Sequence, residues 1–372
     1  MAVSVRWACR DYAQSVTTAT PPVELARSLA DDLIRPIAER VDGSVVPRSH
    51  LDAWGRAGLL GLAGPTAYGG GGAPAPVVRE VTEVLAGACG ATWFVATQHA
   101  MPLATVAASK NEALTDRLLR GMCTGEVLSG VAVAQLRRPG PPAVVATRTE
   151  SGWRFDGHVG WMTSWGICDV FLLGGVTADG DVVLAMVAAR DGDGLTASSP
   201  MSLAAMQATV TVTLDLHGYQ VDDTDVAAVL PVATWLAVDA AKTANPSPHT
   251  FGLQREAVRR LAETASRRDD GTAAALAQQL GREGERLRRV AYTLIDDVPA
   301  QEQIEDRLAV RVASLELVVR TTTALVAATG GAAMAMSAAP QRLVREAVFH
   351  LVQAQTAPIR EATLQLMRES GV

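Results

Sequence analysis

Aromatic residues are scarce in this sequence, at 4% Phe, Trp and Tyr, and charged residues make up only 19%. The hydrophobic fraction still reaches 48%, carried mostly by Ala, Val and Leu, so the chain can bury a sizeable core and is expected to be rich in helix. Dense runs of Lys or Arg are missing and the formal net charge is −6, which removes the electrostatic footprint of a nucleic-acid-binding protein. The Arg residues between Arg267 and Arg289 are interleaved with Asp and Glu and read as a solvated helical face. Cysteine is rare too. Cys9, Cys89, Cys123 and Cys168 form no CxxC or Cys/His ligand spacing, so they are expected to be reduced, mostly buried thiols and not a metal site. The N-terminus lacks a signal-peptide pattern, and no apolar run is read as reaching the roughly 18–20 residues of a membrane span. A cytoplasmic protein without a membrane span is the expectation.

What is present changes period twice along the chain. Leu25, Leu29 and Leu33 fall at four-residue spacing, and Val77, Val81, Val84 and Leu85 repeat one helical face. Ser49 is placed to cap the helix that enters through Leu51 and Trp54, with Gly61 or Gly64 to end it. In the middle third, Val210, Val212, Leu214 and Leu216 alternate with Thr209, Thr211, Thr213 and Asp215, the signature of a strand with one buried face. Shorter apolar runs around Trp153, Val170 and Val182 are separated by Asp156-Gly157 and Asp179-Gly180-Asp181, read as turns. After Pro231 the helical period returns, with Leu280, Leu287 and Leu294 on one face and Leu308, Val312, Leu315 and Val319 on another. The expected architecture is α+β: an N-terminal helical domain (1–128), a middle antiparallel β domain (129–230) and a C-terminal helical bundle of the four-helix type (231–372).

Three segments in this order resemble the acyl-CoA dehydrogenase superfamily. They are GLLGLAGPTAYGGGGA at 58–73, GWRFDGHVGWMTSWGICDVFLL at 152–173, and the run from Gly330 to Leu364, GGAAMAMSAAPQRLVREAVFHLVQAQTAPIREATL. The glycine cluster of the first is followed by no GK[ST], so it is not a P-loop. The resemblance implies a flavin cofactor, FAD with FMN as the alternative. Trp161 would pack on its ring and Thr163 would offer its hydroxyl to the reactive edge. Backbone N–H groups of Val133 and Ala134 would hold the flavin, while Arg268, Gly330, Gly331 and Thr356 occupy further cofactor-contacting positions. Gln98, His99 and Arg345 would border the substrate.

The same register exposes departures from the family pattern. The Glu that takes the α-proton of an acyl thioester falls at Ala354, and the Gly after it falls at Gln355. His350, one helical turn earlier, and Asp239, on the helix leading into the bundle, are the remaining acid/base candidates. Gln135 stands where the family has the Glu of Thr-Glu-Pro. An acyl-CoA dehydrogenase-like flavin oxidoreductase acting on an acyl thioester or related small molecule is one expectation. A two-component monooxygenase using O2 and reduced flavin from a separate reductase is the alternative, and a non-catalytic subunit of a paired dehydrogenase the second. The resemblance further implies a homodimer or homotetramer, through the apolar faces of residues 308–326, and an electron-transfer partner or reductase.

Overall fold

The computed structural model describes residues 20–369, so Cys9 lies outside the described residues. The first third is helical: α1 (Pro22–Leu29), α2 (Ala38–Asp42), α3 (Arg48–Arg56), α4 (Ala75–Ala88), α5 (Gly90–Ala107) and α6 (Glu112–Thr124). Ser49 does not cap α3. The helix starts at Arg48 behind Pro47, which leaves Ser49 inside its first turn, and it ends at Arg56, short of Gly61 and Gly64. The glycine cluster after it is a packed loop, because a Cβ on Gly61 would fall 1.9 Å from the carbonyl oxygen of Cys123 on α6.

Eight strands follow: β1 (Ser129–Ala132), β2 (Val144–Arg148), β3 (Gly152–Met162), β4 (Val170–Val176), β5 (Asp181–Ala188), β6 (Leu195–Ala197), β7 (Val212–Asp222) and β8 (Val226–Pro231). They form one sheet in the order β6-β7-β3-β2-β4-β5-β8, with β1 paired to β4. Pairing is antiparallel except at β1 with β4 and at the single Val145–Val176 pair of β2 with β4. Asp179-Gly180-Asp181 is the turn between β4 and β5, but Asp156-Gly157 lies inside β3. There the register against β7 shifts between Phe155 and Gly157, a bulge that turns the strand without ending it.

The last third comprises α7 (Val232–Ala244), α8 (Pro248–Arg268), α9 (Gly271–Asp297), α10 (Ile304–Thr329), α11 (Ala339–Val352) and α12 (Ala357–Glu369). The helical ends and middle sheet match the acyl-CoA dehydrogenase fold that the motifs imply. Within Ile304–Met334 one stretch is long and apolar enough for a membrane span by length and composition alone. The segment is a bundle helix instead, packed on α8, α9 and α11 with Arg307 and Arg311 buried along it. For the same reason Val312, Leu315, Val318 and Leu325 face the chain's own core, which corrects the assignment of residues 308–326 to an oligomer interface.

The N-terminal helices are locked to the bundle where α4 crosses α8. A Cβ on Gly252 would lie 2.2 Å from the backbone oxygen of Glu83, so only glycine lets the two backbones approach this closely. Buried carboxylates tie the same junction. Glu83 accepts from Arg288 at 2.7 Å and pairs with Arg255 at 3.1 Å, while Glu256 takes Arg35 at 2.5 Å and Arg260 at 2.6 Å.

Candidate functional site

Two of the β-domain candidates share one corner. Trp161 stands at the end of β3 with 46% of its surface exposed, unusual for a large flat aromatic in a protein so poor in them. Thr163 follows it, buried, and its hydroxyl lies 3.2 Å from that of Thr211. Thr211 in turn lies 3.2 Å from the hydroxyl of Thr209, which donates to the carbonyl of Met206 at 2.8 Å. The backbone here is held in costly conformations: Ser164, Met206 and Val210 have φ of +76°, +58° and +49°. Such residues persist only where the surroundings over-determine them, and they cluster at functional sites. Two bonds set them here, Ser164 N–H to the Thr209 carbonyl at 2.9 Å and Trp165 N–H to that of Val210 at 3.1 Å.

Val133 and Ala134 lie on another segment packed on β3. They lead into a short 3-10 turn, Ala134–Arg137, beside β3. Gln135 anchors that turn from within, donating through one amide nitrogen to the carbonyls of Ala132 at 2.9 Å and Gly174 at 2.8 Å. The family's acidic side chain is thus replaced by a neutral one that serves the scaffold. A helical wall closes the region: Phe94 of α5 packs edge-on to Phe349 of α11 at 4.8 Å, and Arg345, one turn before Phe349, donates to the carbonyl of Ala204 at 3.1 Å.

Residues 22–126 match the family model described as acyl-CoA dehydrogenase, N-terminal domain. No curated protein sequence matches the chain. Butyryl-CoA dehydrogenase from Megasphaera elsdenii superposes with a TM-score of 0.75 at 15% identity, covering 94% of this chain and 99% of that one. Dibenzothiophene monooxygenase from Paenibacillus sp. A11-2 gives 0.75 at 18% identity over 94% and 97% of the two chains. A glutaryl-CoA dehydrogenase from Mycobacterium smegmatis, in complex with FADH2, gives 0.75 at 17% over 97% and 94%. The N-terminal domain is that of the acyl-CoA dehydrogenases, and the fold of the whole chain is theirs.

The motif register assigns the family's Glu to a turn at the end of α11. Ala354 lies in the turn between α11 and α12 with φ of +49°, next to Gln355 and Thr356, which directly precedes α12. Arg311 of α10 holds this turn, donating to the carbonyl of Gln353 at 3.2 Å, and also binds the carbonyl of Thr243 at the end of α7. One buried guanidinium therefore joins the Ala354 turn to the helix carrying Asp239. Burial and then the neighbouring Arg137 push Arg311 down to about 10.

Neither remaining acid/base candidate is suited to proton abstraction. Asp239 is gripped by Arg137 through two bonds of 2.7 Å, so its charge is already neutralised by a partner. His350 is buried among Trp93, His249 and Phe349, and burial followed by Arg311 lowers it to about 3. It is a neutral, very weak base.

The substrate-side residues divide. Gln98 stays partly exposed on α5, its amide donating to the carbonyl of Phe94 at 3.2 Å. His99 faces the core instead: Nε2 meets the Met122 carbonyl at 2.9 Å and Nδ1 accepts from the Ser129 N–H at 3.1 Å, which leaves no ring nitrogen for a ligand. Arg345 is paired with Asp42, so its charge ties α11 to α2. Arg268, Gly330 and Gly331 form a second group. Arg268 donates to the carbonyls of Ala328 and Thr329 at 2.8 and 2.7 Å, closing the end of α10, where Gly330 takes φ of +71°. Thr209, Thr211 and Phe349 were not among the site residues expected from the sequence. The alternation of threonines was visible, but it marked only a polar strand face.

Proposed function

We propose that this chain is a flavin-dependent oxidoreductase that holds flavin against Trp161 and Thr163 and works without a carboxylate base, as an enzyme using reduced flavin and O2. The observation that carries this reading is Ala354 at the turn where the family places its Glu, with Asp239 committed to Arg137. The corner fits a flavin. Trp161 offers an exposed flat wall, Thr163 would turn its hydroxyl to the ring edge, and Val133 and Ala134 would supply backbone groups. Arg268, Gly330, Gly331 and Thr356 would serve the remainder of the cofactor. Arg268 already binds two carbonyls, which weakens its service to a pyrophosphate and keeps FMN beside FAD as the alternative. The flavin supplies the redox chemistry, and this chain's residues orient it and exclude water from it. Reduced flavin would come from a separate reductase. Support for both halves of the proposal comes from the fold neighbours, which include dehydrogenases and a monooxygenase.

Trp161→Ala should weaken flavin binding by about 2- to 12-fold, the equivalent of the roughly 0.5–1.5 kcal/mol an aromatic pair contributes beyond its buried area. Titration monitored by flavin fluorescence reads this directly. An unchanged affinity in a variant with wild-type melting behaviour would reject the role.

Apolar side chains left exposed on α9, α11 and α12, namely Leu276, Val290, Val348, Val352 and Leu364, are where a second copy would dock. Light scattering should therefore show a homodimer or homotetramer. A monodisperse monomer at micromolar concentration would remove this part of the proposal.

A further inference from the structure

Three threonine hydroxyls at the Trp161 corner form a chain whose direction is determined. A hydroxyl has one hydrogen to donate and can accept through its lone pairs, whereas a carbonyl oxygen only accepts. Thr209 meets the carbonyl of Met206 at 2.8 Å, so its hydrogen is committed there. The 3.2 Å contact between Thr209 and Thr211 must then be donated by Thr211. With that hydrogen in use, the 3.2 Å contact between Thr211 and Thr163 must be donated by Thr163. Every hydrogen in the chain points inward, and Thr163 is left with lone pairs alone. All three residues are buried, at 6%, 3% and 0% exposure for Thr163, Thr211 and Thr209, so water does not readily rearrange them. The adjacent Ser164 hydroxyl has no hydrogen-bond partner among the described residues and does not compete for Thr163.

We propose that this chain fixes Thr163 as a hydrogen-bond acceptor, so that the site selects reduced flavin, which carries an N5–H, over oxidised flavin, whose N5 offers only a lone pair. The inference rests on the flavin site proposed above and deepens it. It reverses the donor role that the family resemblance implies for Thr163, and it makes Thr211 and Thr209 positioning residues acting through Thr163. Lone pair facing lone pair is repulsive and leaves a buried acceptor unsatisfied, whereas N–H facing the same oxygen is a bond. A protein that receives its flavin already reduced would benefit from that bias.

The test is a pair of anaerobic titrations of the whole protein with FMN or FAD, oxidised and dithionite-reduced. The wild type should bind the reduced form at least about tenfold more tightly. That ratio corresponds to a bound two-electron potential raised by about 30 mV, since a tenfold change in equilibrium constant is 29.6 mV for two electrons. Thr211→Val releases Thr163 to donate, so the ratio should fall towards unity, and Thr209→Val should act in the same direction by freeing Thr211. Thr211→Ser should restore the wild-type ratio. If both flavins bind but the ratio is near one in the wild type, or is unmoved in folded Thr211→Val and Thr209→Val, the threonine chain does not set the preference and the inference is overturned. If neither flavin binds, the flavin site itself is refuted and the inference falls with it.

Discussion

Anaerobic addition of saturated acyl-CoAs to the flavin-loaded protein should leave the oxidised flavin spectrum unbleached, whatever the chain length. General-base catalysis contributes about 10²–10⁴-fold to such a proton abstraction, and the structure withholds it at each candidate position. Ala354 has no proton acceptor, Asp239 is held by Arg137, and burial leaves His350 too weakly basic. Ala354→Glu with Gln355→Gly should recover at most a trace of reduction. Ala354 already bears a Cβ at φ of +49°, so the backbone cost of that conformation is present in the native turn. What limits recovery is a turn held by Arg311 at Gln353, beside which a new carboxylate would be paired and poorly basic. Stoichiometric bleaching of wild-type flavin by a simple acyl-CoA would contradict this reading and return the chain to thioester dehydrogenation.

Acidification from pH 7 to pH 4.5 should destabilise the protein steeply, before most carboxylates titrate. His50, His99, His249 and His350 are all buried, and burial depresses each below the ordinary 6.5, with His50 and His99 at about 4. The sign follows from linkage. The unfolded chain binds these protons near pH 6.5 while the folded one refuses them, so stability is complete above 6.5 and is lost as pH falls towards the folded values. At about 1.36 kcal/mol per pH unit, His99 alone accounts for about 3 kcal/mol by pH 4. Glu256, held below its ordinary range by Arg259, Arg35 and Arg260 against the opposing effect of burial, adds a separate loss only at lower pH. Thermal melts from pH 7.5 to 4.5 measure the effect. A melting temperature flat across pH 6.5–5 would show that these imidazoles are not held neutral by the fold.

Much of the architecture was legible because periodicity reports burial. Val81 and Leu85 of α4, and Leu280, Leu287 and Leu294 of α9, are buried as their spacing requires. The strand reading failed where alternation continued past the strand's start. Thr209 and Val210 keep the pattern, yet they form a 3-10 turn and a left-handed residue before β7 begins at Val212. Nothing marks a non-glycine residue for φ of +49°, because the surrounding contacts impose it and not its own propensity. The apolar face of residues 308–326 was equally visible, but composition cannot say whether such a face meets another copy or the chain's own α8, α9 and α11.

The sequence alone determined that three structural regions follow one another, that Trp161 and Thr163 share a strand end, and that Ala stands at 354. Those are properties of residue type and spacing along the chain. Only the tertiary structure decided that Asp239 is neutralised by Arg137, that His99 is a satisfied core residue, and that Thr163 has its hydrogen turned inward by Thr211 and Thr209. The Arg137–Asp239, His99–Met122 and Thr163–Thr211 contacts join residues 102, 23 and 48 positions apart, and the local Thr209–Thr211 contact depends on the turn before β7, with burial keeping water from substituting for a missing partner.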